Sequence, residues 1–136
     1  MKHLRFAVAL LVLFSLLSGC QKQTKSPMPP LHSVQGTVTK DGKPIDEAFV
    51  QFVPDSGSEI LTVNGRTNAD GKFELSTIHA QTNEKKPGAP EGSYTVTIML
   101  SLDPQHQRVE QVTLPDKYQV KPGANDFPLE LNPKKK

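Results

Sequence analysis

Ser93-Tyr94-Thr95-Val96-Thr97-Ile98-Met99-Leu100-Ser101-Leu102 is the stretch on which the reading of this chain turns. Tyr94, Val96, Ile98 and Leu100 occupy every second position, with Thr95, Thr97, Met99 and Ser101 between them. A period of two puts the first set on one face of an extended strand and the second on the other. The same grammar holds outward from it. Val34 to Thr39 alternates and runs into Lys40-Asp41-Gly42-Lys43-Pro44, a tight turn. Phe49 to Val53 is a second strand closed by Pro54, and Leu61 to Arg66 a weaker third. Thr67 to Lys72 is a hairpin connection in which Asp70-Gly71 supplies the positive-φ position, and Phe73 to Leu75 resumes the ladder. Thr77 to Gly92 holds Pro87, Gly88, Pro90 and Gly92 and reads as a long loop. Val109 to Leu114, a short extended piece at Lys117 to Val120, and Asp126 to Leu131 complete the set.

Seven or eight short antiparallel strands joined by turns predict an all-β, Ig-like two-layer sandwich over residues 34–131. The expected inward set is Val38, Val50, Phe52, Phe73, Leu75, Tyr94, Val96, Ile98, Leu114 and Leu131. Composition agrees. With 12 Pro and 9 Gly in 136 residues, a helical bundle is excluded. At 35% hydrophobic residues, so is a multi-span membrane protein. One Cys excludes an internal disulfide framework and a Cys-rich zinc site.

That Cys stands in a telling place. Lys2 and Arg5 precede the apolar run Phe6 to Leu17, the pattern of a secretory signal peptide and too short for a membrane span. Leu17-Ser18-Gly19-Cys20 resembles the lipobox of bacterial lipoproteins. The resemblance implies a signal peptide over 1–19, cleavage between Gly19 and Cys20, and acylation of Cys20. Several acyl chains on one residue make a stable anchor, at about 0.8 kcal/mol per buried CH₂. Gln21 rather than Asp after the Cys favours the outer membrane, by resemblance to the sorting rule of two-membrane bacteria. Residues 20–33, with Pro27, Pro29 and Pro30, read as an extended tether, and 132–136 as a basic tail.

Charge follows the same division. The net charge is +2, but Lys2 and Arg5 belong to the signal segment and five lysines to the tether and tail. Residues 34–131 carry 9 basic and 14 acidic side chains. An acidic domain is a poor match for nucleic acid.

Three stretches carry a further resemblance: Gly36 to Ile45 running into Ala48 to Phe52, Thr67 to Leu75, and Gly92 to Ile98. They are similar, in order and spacing, to the carboxypeptidase regulatory-like domain, a transthyretin-like β-sandwich. Pro115 to Tyr118 and Gly123 to Phe127 look like the small bacterial lipoprotein versions of it. The resemblance implies a non-enzymatic structural or interaction module, displayed at the cell envelope, with no cofactor. Its expected partners are the membrane through the anchor and an envelope protein or cell-wall polymer. The exposed connections Thr77–Gly92 and Leu102–Arg108 are where contacts are expected.

Other chemistries have thin support. The transthyretin-related hydrolase acting on 5-hydroxyisourate ends in a Tyr-Arg-Gly-Ser type motif, and this chain ends Leu131-Asn-Pro-Lys-Lys-Lys136. His32, His79 and His106 lack the close spacing that pre-forms a metal site and read as solvated loop residues. Asn68, Asp70 and Gly71 fit a hairpin as well as a calcium loop. Glycan or cell-wall binding is the alternative function, with Tyr118 and Phe49 as the aromatics available for exposure.

Overall fold

A computed structural model describes residues 27–105 and 107–132. Signal residues 1–19, the Gly19/Cys20 junction, the first part of the tether and Lys134 to Lys136 therefore lie outside the described residues, as does His106.

The described chain is all-β. Its strands are β1 (Leu31–His32), β2 (Val34–Lys40), β3 (Lys43–Pro44), β4 (Phe49–Pro54), β5 (Leu61–Arg66) and β6 (Lys72–Glu74). They continue with β7 (Ser76–His79), β8 (Lys85–Pro87), β9 (Ala89–Pro90), β10 (Gly92–Ser101), β11 (Val109–Val120) and β12 (Asn125–Glu130). A six-stranded sheet runs β11-β10-β4-β5-β7-β8. A smaller sheet runs β12-β2-β3, with β6 also paired to β2, and β1 pairs with β9.

The two sheets bury their facing sides against each other. All ten residues expected inside are buried, joined by Val34, Ala48, Val63, Ala89, Leu100, Val120 and Leu129. Phe52 of the large sheet sits at the centre. Its ring meets Phe73 and Phe127 of the small sheet at 6.4 and 5.8 Å between centroids, and Tyr94 and Tyr118 at 5.8 and 6.1 Å. The alternation of β10 thus translates directly into the seam between layers.

Five expectations are corrected. First, β12 runs parallel to β2, from Asn125 opposite Val34 to Glu130 opposite Thr39, so the pairing is not antiparallel throughout. Second, twelve strands replace seven or eight. The surplus consists of two- and three-residue pieces, while seven strands have four residues or more. Third, Thr77–Gly92 is not a long loop. Thr77 and His79 are buried, and residues 80–84, with Asn83 at φ +53°, turn the chain so that β8 folds back on β7. His79 is accordingly a core residue and not a solvated one. Fourth, Val109–Leu114 and Lys117–Val120 are one strand. Thr97 lies opposite Thr113 and Thr95 opposite Lys117, so Leu114, Pro115 and Asp116 bulge across from Val96. β11 is an edge strand, and its bulge accommodates Pro115. Fifth, Leu31 and His32 pair with Pro90 and Ala89, so the end of the Pro-rich stretch enters the folded part.

Two polar devices hold the connections. The Asn68 side chain accepts from the N–H groups of Asp70 and Lys72, both at 3.0 Å, which closes the hairpin at Gly71. The oxygen that a calcium loop would offer is thereby engaged within the turn. Asn125 stitches the β11–β12 turn. Its Nδ2 reaches the carbonyls of Ser33, Lys121 and Gly123 within 3.3 Å, and its Oδ1 accepts from the Lys121 N–H at 2.9 Å.

Candidate functional site

At the end of the sandwich where β4 stops and β5 and β10 begin, an apolar cleft of about 440 Å³ opens. Pro54, Leu61, Val63, Pro90 and Tyr94 line it, and Pro29 from the incoming N-terminal segment forms part of its wall. Such a volume, apolar with a few polar groups at the rim, is in the usual range for binding clefts. The Tyr94 hydroxyl is tied down, donating to the Pro90 carbonyl at 2.7 Å.

Beside the cleft lies a compact polar cluster. The Ser93 hydroxyl donates to Asp55 Oδ2 at 2.8 Å, and the Thr95 hydroxyl to Oδ1 at 3.1 Å. Lys117 Nζ donates to Asp55 Oδ1 and to Thr95 Oγ1, both at 2.7 Å. Register explains the gathering. Thr95 pairs with Val53 on one side and Lys117 on the other, and Asp55 is the second residue beyond Val53. The Lys117 ammonium and then the Ser93 hydroxyl hold the Asp55 carboxyl below its ordinary range. A general base works best with a pKa near the operating pH. Asp55 is moved the opposite way, so Ser93 has no activating partner in it.

The burial that forms the cleft floor also has a titration signature. It pushes the Tyr94 phenol up to about 12 from 10.0. Between those values the folded chain keeps a proton that the unfolded chain has released. Stability contributed there is present below pH 10 and lost as the pH rises toward 12. Melting temperatures measured from pH 9 to 12 should therefore fall less steeply for Tyr94→Phe than for the wild type. Parallel curves would remove Tyr94 from the account.

A second cleft, of about 630 Å³, lies on the outer side of the small sheet and is polar. Gln35, Thr37, Arg66, Lys72, Glu74 and Asp126 contribute to it. It offers no exposed ring. The two aromatics considered for sugar contact are half-buried: Tyr118 packs edge-on against Phe127 at 5.6 Å, and Phe49 lies between Met99 and Arg66 on the large sheet. Among the described residues, most aromatic rings lie in or against the core.

His32 is in β1, His79 is in the core at β7, and among the described residues no group of three His, Cys, Asp or Glu is placed to hold a metal. The Asp55 cluster was not anticipated because its hydrogen-bonded pairs are 22 to 62 residues apart in the chain. No local spacing announces it.

No family model matches this chain, and no curated protein does. Solved structures do show likeness. A DUF3823 family protein from Parabacteroides merdae aligns at 20% identity and a TM-score of 0.46, over 78% of this chain and 48% of that one. A 9R-lipoxygenase from Cyanothece aligns at 19% identity and a TM-score of 0.40, over 98% of this chain and 24% of that one. This chain thus spans about half the length of the first and a quarter of the second. Neither likeness bears on what it does.

Proposed function

We propose that this chain is a lipid-anchored cell-envelope protein whose β-sandwich acts as a structural or interaction module and not as a catalyst. The observation that carries the reading is the position of the lone Cys20, directly after an apolar run and Leu17-Ser18-Gly19. The Pro-rich segment that follows leads into β1, beside the apolar cleft that Pro29 helps to wall. The clearest polar cluster supports the non-catalytic part, because its carboxylate is made less basic and its hydroxyls are engaged. Outer-membrane placement follows from Gln21 by the sorting resemblance.

The test is covalent. Bacteria expressing the full chain and fed an alkyne-bearing palmitate analogue should label the wild type and leave Cys20→Ser at background. Equal labelling of the two would overturn the anchor. A wild-type chain that stays unlabelled while being exported would do so too.

A further inference from the structure

The outer face of the small sheet is built by three strands side by side, with β2 between β12 and β6. Val34, Gly36 and Val38 turn inward, so Gln35 and Thr37 point out. The same alternation exposes Lys72 and Glu74 of β6 and Asp126 of β12. Register sets these residues in rows: Gln35 lies between Asp126 and Glu74, and Thr37 is opposite Lys72. Arg66 ends β5, and the hairpin after it returns as β6, so it borders this face on the flank away from β12. All six line the polar cleft of about 630 Å³. Its charges are two of each sign, yet among the described residues none of the four is in an ion pair or a side-chain hydrogen bond. Where opposite charges converge elsewhere they do pair, as Lys117 with Asp55 at 2.7 Å and Lys86 with Glu84 at 2.9 Å. Here the sheet holds them apart. Asp126 and Glu74 are two strand spacings from each other, about 10 Å at Cα, and Lys72 is about 12 Å from Asp126 across the diagonal.

We propose that this cleft binds a short zwitterionic peptide, a di- or tripeptide with a free ammonium and a free carboxylate. Opposite charges fixed apart on one concave surface are complementary to a ligand that carries both signs at a matching separation. A simple anion would be drawn by Arg66 and Lys72 and repelled by Asp126 and Glu74, and a simple cation the reverse. An extended di- or tripeptide spans at most about 7–11 Å, which fits between the two poles. Arg66 and Lys72 take the carboxylate, the guanidinium holding both oxygens at once. Asp126 takes the ammonium, and Glu74 repels a second acidic group. Between the poles, the Gln35 amide and the Thr37 hydroxyl offer donors and acceptors to the peptide's own amide groups. With no exposed ring on this face, a sugar has no stacking platform. The site lies apart from the apolar cleft and owes nothing to an anchor at Cys20.

The experiment titrates the full-length chain in detergent with trialanine and follows backbone amide resonances by NMR. Trialanine should move the resonances of Gln35, Thr37 and Lys72 saturably and leave those of Leu61 and Val63, in the apolar cleft, in place. The same peptide acetylated at one end and amidated at the other carries neither charge. It should bind at least about tenfold more weakly, because hydrogen bonds to charged groups are the stronger ones. Lys72→Gln with Asp126→Asn should weaken trialanine by a similar factor and leave the capped peptide unaffected. Circular dichroism of that variant should match the parent, which separates loss of binding from loss of fold. Lactose, a neutral sugar, should move none of the three resonances. Equal binding of the two peptides overturns the proposal, as does trialanine binding that survives the double substitution. So do shifts centred on the apolar cleft, lactose displacing trialanine, or no saturable shift up to the solubility limit of the peptide.

Discussion

Gly36→Ala should destabilise the domain by about 3 kcal/mol or more, at the upper end of what overpacking costs. Gly36 is in the middle of β2, between Phe127 of β12 and Phe73 of β6. The alternation of β2 points this position inward, with Val34 and Val38 on either side. A Cβ there would overlap the Phe127 carbonyl oxygen and stand 2.7 Å from the Phe73 ring. The ring could turn only into other core side chains, and the carbonyl belongs to the parallel ladder. Urea unfolding followed by circular dichroism is the suitable measurement, since the chain has no Trp to report by fluorescence. Gly42→Ala is the informative comparison. Gly42 has φ +78° but open space around it, so its substitution isolates backbone strain and should cost about 1 kcal/mol. Equal losses at the two positions would refute the steric account of Gly36.

Phe52→Ala is expected to cost about 3–5 kcal/mol, the range for deleting a buried aromatic ring. Four other rings rest on this one and lose their contact together. Tilted aromatic pairs contribute about 0.5–1.5 kcal/mol each beyond simple burial, so the upper part of the range applies. Against a typical total of roughly 5–15 kcal/mol, one substitution removes a large share of the stability. Val53→Ala, next in the same strand but 43% exposed and facing outward, should change stability by no more than about 0.5 kcal/mol. A small loss for Phe52→Ala, comparable with that of Val53→Ala, would place the centre of the core elsewhere.

What was legible in the sequence is the side-chain period. Where β10, β4 and β2 alternate, every residue assigned inward is inward, because one face is buried and register is then strongly specified. At β7 it was the Pro and Gly content of Thr77–Gly92 that misled, reading as a loop. Ile78 is the apolar residue there, yet Thr77 and His79 face the core. The Thr77 hydroxyl donates to the Gly88 carbonyl at 2.8 Å, a long-range bond that no local pattern encodes. Pro115 misled for another reason. It signals the end of a regular strand, and only the pairing with β10 shows that a bulge carries the strand past it. The direction of β12 was not legible either, since parallel and antiparallel strands share one side-chain period. The Asp55 cluster belongs with these: it is a product of register between three strands, not of spacing within one.

The parallel β12–β2 pairing also sets the order in which this molecule can be completed. Ser33 and Asn125, joined through the Asn125 side chain, are 92 residues apart. A chain delivered from its N-terminus, whether by a ribosome or through a pore, presents β2 long before its neighbour exists. Until Asn125–Glu130 arrives, one flank of β2 has no ladder, and Leu129 is missing from the core that Val34 and Val38 share. Closure across so long a span is entropically slow, and folds dominated by such contacts form on the order of milliseconds to seconds. That late strand therefore acts as a timer: β2 gains its second ladder, and the sandwich its final shape, only once Asn125–Glu130 has joined it.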